Sequence, residues 1–156
     1  MFLRLKTLKP RSTGAASKRA RMVVIDTNII VPLYVRSART AAVETLRERE
    51  DVWRTEPFAL VEFSNVLVNY RRAHYLSSNA ARDCLVQAEM FLQPHYFAVA
   101  HEVALEFALR YNVTSYDGRF LAVAQQLGRP LVTEDAKLRR AAPALTQSLA
   151  QALQRS

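Results

Sequence analysis

Met22-Val23-Val24-Ile25-Asp26-Thr27-Asn28 is an apolar run without alternation that stops at a carboxylate. Such a run reads as a strand buried on both faces, as the centre of a parallel sheet requires. A buried helix shows the same pattern, but the β-branched content and the Asp-Thr-Asn stop favour the strand. In open α/β sheets the ligand crevice lies beyond the carboxyl ends of the strands. Asp26, Thr27 and Asn28 are therefore expected where chemistry is done. From this stretch alone, Asp26 serves equally well as a cap for the next segment, where Asp, Thr and Asn are all favoured.

Working outward, Ile29 to Tyr34 stays apolar, and Pro32 restricts it to a loop or a first helical turn. Arg39 to Asp51 sets Ala42, Val43 and Leu46 among charges and reads as an exposed amphipathic helix. Val52 to Thr55 is a short strand. Pro57 to Ala73 is a helix that starts on proline, where the missing N–H costs nothing. Glu62, Asn65, Asn69 and Arg72 form its single polar stripe. Asn69 and Arg72 are expected in solvent, whereas Glu62 and Asn65, ringed by apolar neighbours, are site candidates.

Ser77 opens a helix to about Leu92, and Pro94 ends it. Tyr96 to Ala100 reads as a second buried strand and His101 to Tyr111 as a helix. Asp117 sits at the opening of a helix that runs to about Leu127, where an N-cap role accounts for it. Gly128 and Pro130 close that helix. Pro130 to Thr133 is the last clear strand, and Glu134-Asp135 at its carboxyl end mirrors Asp26. From Ala136 the chain reads as one weakly amphipathic helix through Leu138, Leu145, Leu149 and Leu153.

The 156 residues suit one domain with a real core. No apolar run is long enough to span a bilayer. The single Cys84 has no internal partner, which suits a reducing, cytoplasmic setting, and it reads as a core residue. The net charge of +8 is concentrated at one end: residues 1–21 hold seven of the 22 basic residues and no acid. The remainder carries 15 basic against 14 acidic residues and is nearly neutral. Residues 1–21 have no apolar core of a secretory signal. They are expected to form a disordered basic extension, or an overextended start before Met22, with the folded domain at 22–156. His74, His95 and His101 share no metal-ligand spacing.

Two strands end in aspartate (Asp26, Asp135), one helix begins with Asp117, and one mostly buried helix displays Glu62. Strand ends and helix starts share one edge of an alternating sheet, so three of these acids face one crevice by topology, and Glu62 can reach it. Crowded carboxylates must be protonated or neutralised by cations. An oxygen-only set without His or Cys selects a hard ion, Mg2+ or Mn2+, and phosphodiester chemistry is its natural use.

Val24-Ile25-Asp26-Thr27-Asn28, Glu62-Phe63-Ser64-Asn65-Val66-Leu67, Ser115-Tyr116-Asp117 and Leu131-Val132-Thr133-Glu134-Asp135 together resemble the four acidic motifs of PIN-domain ribonucleases. Their order and spacing are most similar to the VapC-type toxins of toxin–antitoxin pairs, and the resemblance covers about residues 22–142. It implies a PIN-like three-layer α/β/α sandwich with a central parallel sheet. It implies Mg2+-dependent RNA cleavage leaving 5′-phosphate and 3′-hydroxyl ends, a homodimer and an inhibitory antitoxin. Asp26 and Asp117 would be the leading metal ligands, with Glu62 and Asp135 completing the catalytic set directly or through water. Asn28, Asn65 and Thr133 would support them. Gly118 departs from the alanine usual there and is expected to loosen the first helical turn.

Rival readings fit less well. A haloacid-dehalogenase-type phosphatase needs a second acid where this chain has Asn28, and a receiver domain needs a late lysine and paired acids at the first strand. A non-toxin PIN-like RNA-processing nuclease and a catalytically silent PIN-like binding module remain as alternatives. Arg71, Arg72, Arg110, Arg119, Arg139 and Arg140 are candidates for phosphate contact or ordinary solvated charges.

Overall fold

The computed structural model describes residues 20–154; the basic extension lies almost wholly outside them. Among them four strands form one sheet in the order β2-β1-β3-β4, every pairing parallel. They are β1 (Met22–Ile25), β2 (Val52–Arg54), β3 (Leu131–Val132) and β4 (Thr146–Gln147). The opening run is thus an interior strand, with Val24 opposite Leu131 and Ile25 opposite Val132. Val24, Ile25, Leu131 and Val132 are fully buried, as strands covered on both faces demand.

Among the described residues eight α-helices flank the sheet: α1 (Thr27–Tyr34), α2 (Thr40–Arg49), α3 (Phe58–Arg72), α4 (Ser78–Leu92), α5 (His101–Tyr111), α6 (Ser115–Leu127), α7 (Ala136–Ala141) and α8 (Leu149–Gln154). The result is the three-layer α/β/α architecture expected. Trp53, Phe63 and Phe120 are the largest wholly buried side chains and fill the space between helices and sheet. Cys84 is buried, as its apolar surroundings suggested. Among the described residues no helix is long and apolar enough to cross a membrane.

Several local readings need correction. Pro32 lies inside α1, beyond its first turn. The helix tolerates it because it ends two residues later, so one backbone bond is lost near the terminus. Tyr96 to Ala100 does not extend the sheet; only Tyr96 bridges Thr55. Further along, side chains replace the ladder: the Val99 carbonyl accepts from Arg119 and its N–H faces Glu56. The region after Ala136 is not one helix. Pro143 has no N–H to continue α7 and disfavours helical geometry at Ala142, and Thr146-Gln147 then pairs with β3.

Asp117 is the third residue of α6, not its cap. Thr114 is the cap: its hydroxyl accepts from the Asp117 N–H and donates to the Asp117 carboxylate. This is the threonine half of a capping box, with the aspartate taking the cap's hydroxyl where the full motif takes its backbone N–H. Gly118 tightens the structure where loosening was expected. A Cβ there would stand 2.4 Å from the Ala104 carbonyl oxygen on α5. The missing side chain lets α6 lie directly on the α5 backbone.

Candidate active site

β1 delivers Asp26 to the carboxyl edge of the sheet, and β3, its neighbour, delivers Thr133. Both are buried. Thr133 donates its hydroxyl to Asp26 Oδ2 at 2.6 Å, and the Asn28 amide donates to the same oxygen at 2.8 Å. Asp26 Oδ1 accepts from the Thr27 N–H at 2.6 Å. Asn28 also bonds the Thr133 hydroxyl and accepts from the Glu134 N–H, lacing the ends of β1 and β3 together. These contacts hold both carboxylate oxygens in fixed directions.

Glu62 reaches the same edge from α3. The Thr27 hydroxyl donates to Glu62 Oε2 at 2.5 Å, so Thr27 ties Asp26 to Glu62 by its backbone and side chain. Asp117, in the first turn of α6, accepts from Thr114 at 2.7 Å through Oδ2. Asp26 lies within electrostatic reach of Glu62 and Asp117, and Glu62 within reach of Asp117. Burial, with the charges of Glu62 and Asp117, pushes the Asp26 pKa up to about 7 against the Thr133 and Thr27 bonds. Burial, then the charges of Asp117 and Glu56, raises that of Glu62 against its bond from Thr27.

Two expected members stand apart. Asp135 caps α7, its Oδ1 accepting from the Lys137 and Leu138 N–H groups, and it meets the cluster only through its own N–H to Thr133. Asn65 is exposed on α3, outside the network around Asp26. Among the described residues no three His, Cys, Asp or Glu side chains are gathered into a ready-made ion shell. The donor chemistry nonetheless suits a hard divalent cation. The donors are all oxygen, and Asp26 lies within electrostatic reach of Glu62 and Asp117.

Residues around the acids add support beyond the expected set, although Thr27 was already expected beside Asp26. Thr114 was legible in the Thr-x-x-Asp spacing of a capping box. The pair of Glu56 and Arg119 had no local signal. Glu56 Oε1 accepts from Arg119 Nη1 at 2.8 Å, with their side chains 4% and 15% exposed. Glu56 Oε2 accepts from the Phe58 N–H at the start of α3. Arg119 is therefore neither a solvated charge nor free for phosphate. Arg139 likewise donates to the Thr133 carbonyl, and Arg110 pairs with Glu106.

A parallel sheet flanked by helices, with acids from β1, α3 and α6 at its carboxyl edge, defines a nuclease-like α/β chain. The chain belongs to the PIN domain family, whose model matches residues 23–143. It is similar to Ribonuclease VapC3 of Pyrobaculum aerophilum, at 30% identity over 126 residues, 79% of this chain and 96% of that protein. Its fold is similar to the crystal structure of PAE2754 from Pyrobaculum aerophilum, with a TM-score of 0.65 at 16% identity. That match covers 86% of this chain and 93% of the other.

Proposed function

We propose that the chain is a Mg2+- or Mn2+-dependent endoribonuclease and the toxin of a toxin–antitoxin pair. The observation that carries this reading is the meeting of Asp26, Glu62 and Asp117 within electrostatic reach at the sheet edge of a PIN-domain chain. Similarity to Ribonuclease VapC3 supports RNA as the substrate. Asp26 and Asp117 would hold the ion, with Glu62 and the uncommitted oxygen of Asp135 completing the set directly or through water. Such an ion, when bound, supplies positive charge to a phosphodiester and to the water that attacks it.

The chain's own residues do the rest. Thr133 and Asn28 aim Asp26 Oδ2, Thr27 aims Glu62, and Thr114 holds Asp117 Oδ2, while Oδ1 accepts no hydrogen bond among the described residues. A crevice of this charge also accepts an Arg or Lys from an inhibitory antitoxin through charge-assisted hydrogen bonds. We assign the protein to the cytoplasm as a homodimer; Leu105 and Leu109, exposed one turn apart on α5, are apolar surface that a second copy would cover.

Incubating the purified chain with total RNA and Mg2+ or Mn2+, then mapping new 5′ ends, tests the reading. Discrete 5′-phosphate ends are expected. Asp26→Asn and Asp117→Asn should each fall below roughly one-hundredth of wild-type rate, beyond the loss typical of a residue that only supports a ligand. RNA left intact by the wild type would favour the silent binding module. Induced enzyme that cuts RNA yet leaves its host's growth untouched would favour the RNA-processing nuclease over the toxin.

A further inference from the structure

Tyr116 immediately precedes Asp117 in the first turn of α6, and 54% of it is exposed. Its ring lies parallel to that of Phe58, with centroids 4.9 Å apart and planes 3° from coincidence. Phe58 is the first residue of α3, and Glu62 follows one turn later. The stack thus joins the two helix starts that carry Glu62 and Asp117.

Neither ring is placed independently. The Phe58 N–H donates to Glu56 Oε2 at 2.6 Å, and Glu56 Oε1 accepts from Arg119, three residues after Tyr116. Arg119 also donates to the Val99 carbonyl and to His101 Nδ1. Ring on ring, N–H on carboxylate and carboxylate on guanidinium close one loop of contacts between α3 and α6. A stack serving only the core would be covered on both sides. Here Phe58 is half-buried and backs one face of Tyr116, while more than half of Tyr116, the chain neighbour of Asp117, stays exposed.

We propose that Tyr116, backed by Phe58, is a seat on which one unpaired base of the RNA substrate stacks next to the phosphate held at the acids. The proposal rests on the reading of the chain as a ribonuclease and adds to it a residue that positions one base of the substrate. A flat ring fixed on one side and wet on the other is what single-strand binders present to bases. Bases in a duplex are not free to take it, whereas those of loops and ends are. The contact uses a ring face and no hydroxyl, so tryptophan serves as well as tyrosine.

The test uses the full chain carrying Asp26→Asn, in Mg2+, with single-stranded oligonucleotides spanning a cleavage site mapped on total RNA. Each nucleotide in turn is replaced by an abasic residue or by fluorescent 2-aminopurine. At one position near the scissile phosphate, 2-aminopurine should be quenched on binding, and the abasic residue should weaken binding about tenfold. Adding Tyr116→Ala should abolish the quenching and weaken binding to natural RNA by about the same factor, with no further loss from the abasic residue. Tyr116→Trp should restore both. The same pattern should appear in kcat/KM with Asp26 intact.

Losses that multiply at every position, or Tyr116→Ala binding like its parent, would overturn the seat. So would a Tyr116→Ala variant whose only defect is in self-association, which would assign the ring to a protein interface. A wild type that neither binds nor cuts RNA overturns the ribonuclease reading and the seat together. A wild type that cuts RNA and ignores Tyr116 overturns the seat alone.

Discussion

Asp26 and Asp117 come to one edge of the molecule and are held there in opposite ways. Asp26 is 8% exposed and accepts hydrogen bonds from Thr27, Asn28 and Thr133. Asp117 is half-buried, and its carboxylate accepts one, from Thr114. Its helix is fixed by contacts that never touch the carboxylate: Gly118 on Ala104, Arg119 on Glu56 and Tyr116 on Phe58. The sheet half of the site is positioned from within, at the cost of burying a charge. The helix half is positioned from around, by packing and an ion pair. Disturbing each half should therefore leave a different signature.

The largest effect is expected where the surround is broken. Arg119→Met leaves Glu56 buried without its cation, a change that costs about 3–5 kcal/mol when one partner of a buried pair is removed. Urea unfolding should show that loss. Replacing both partners, as Glu56→Gln with Arg119→Met, should recover much of it, because no uncompensated charge remains. A loss in the single variant of under about 1 kcal/mol, as for exposed pairs, would mean that α6 does not depend on this tie.

The sheet half should respond in the other direction. A carboxylate whose pKa rises from 3.8 to about 7 on folding keeps its proton in the folded state over a range where the unfolded chain has lost it. Its contribution to stability is present below about pH 4, fades as pH rises toward 7, and stays lost above. Asp26→Asn should therefore stabilise the metal-free protein by about 2–4 kcal/mol at pH 8 and hardly at pH 4. Thermal melts at the two pH values check this. A stability gain equal at both would detach it from the Asp26 charge and remove the contrast with Asp117.

The same contrast explains what the sequence made legible. Asp26, Asn28 and Thr133 stand at strand ends, and strand ends follow from short apolar runs such as Val23 to Ile25 and Leu131-Val132. Gly128, in left-handed geometry with φ of 61°, ends α6 as its residue type announced. The surround of Asp117 is a tertiary product. Glu56 and Arg119 are 63 residues apart, and neither residue type nor spacing connects them. β4 escaped for a similar reason: Thr146-Gln147 has no apolar pattern, and its strand character comes entirely from pairing with β3. Tyr96 to Ala100 has the apolar content of a strand, but content does not reveal that the partners of Val99 are side chains.

Gly118→Ala sharpens the contrast with the smallest change of all. Alanine favours a helix by about 1 kcal/mol over glycine, so an isolated α6 would gain. Here the added methyl carbon would meet the Ala104 carbonyl at 2.4 Å and the Ala108 nitrogen at 3.0 Å, both backbone atoms that cannot rotate away. The helices must separate, and overpacking of this kind costs about 1–3 kcal/mol. Net destabilisation is expected, with nuclease activity reduced because Asp117 rides on the displaced turn. Asp26, held by its own hydrogen bonds, should keep its pH signature in this variant. A Gly118→Ala protein that melts higher than wild type would show that α5 and α6 have room to spare, and that the turn bearing Asp117 is not set by their contact.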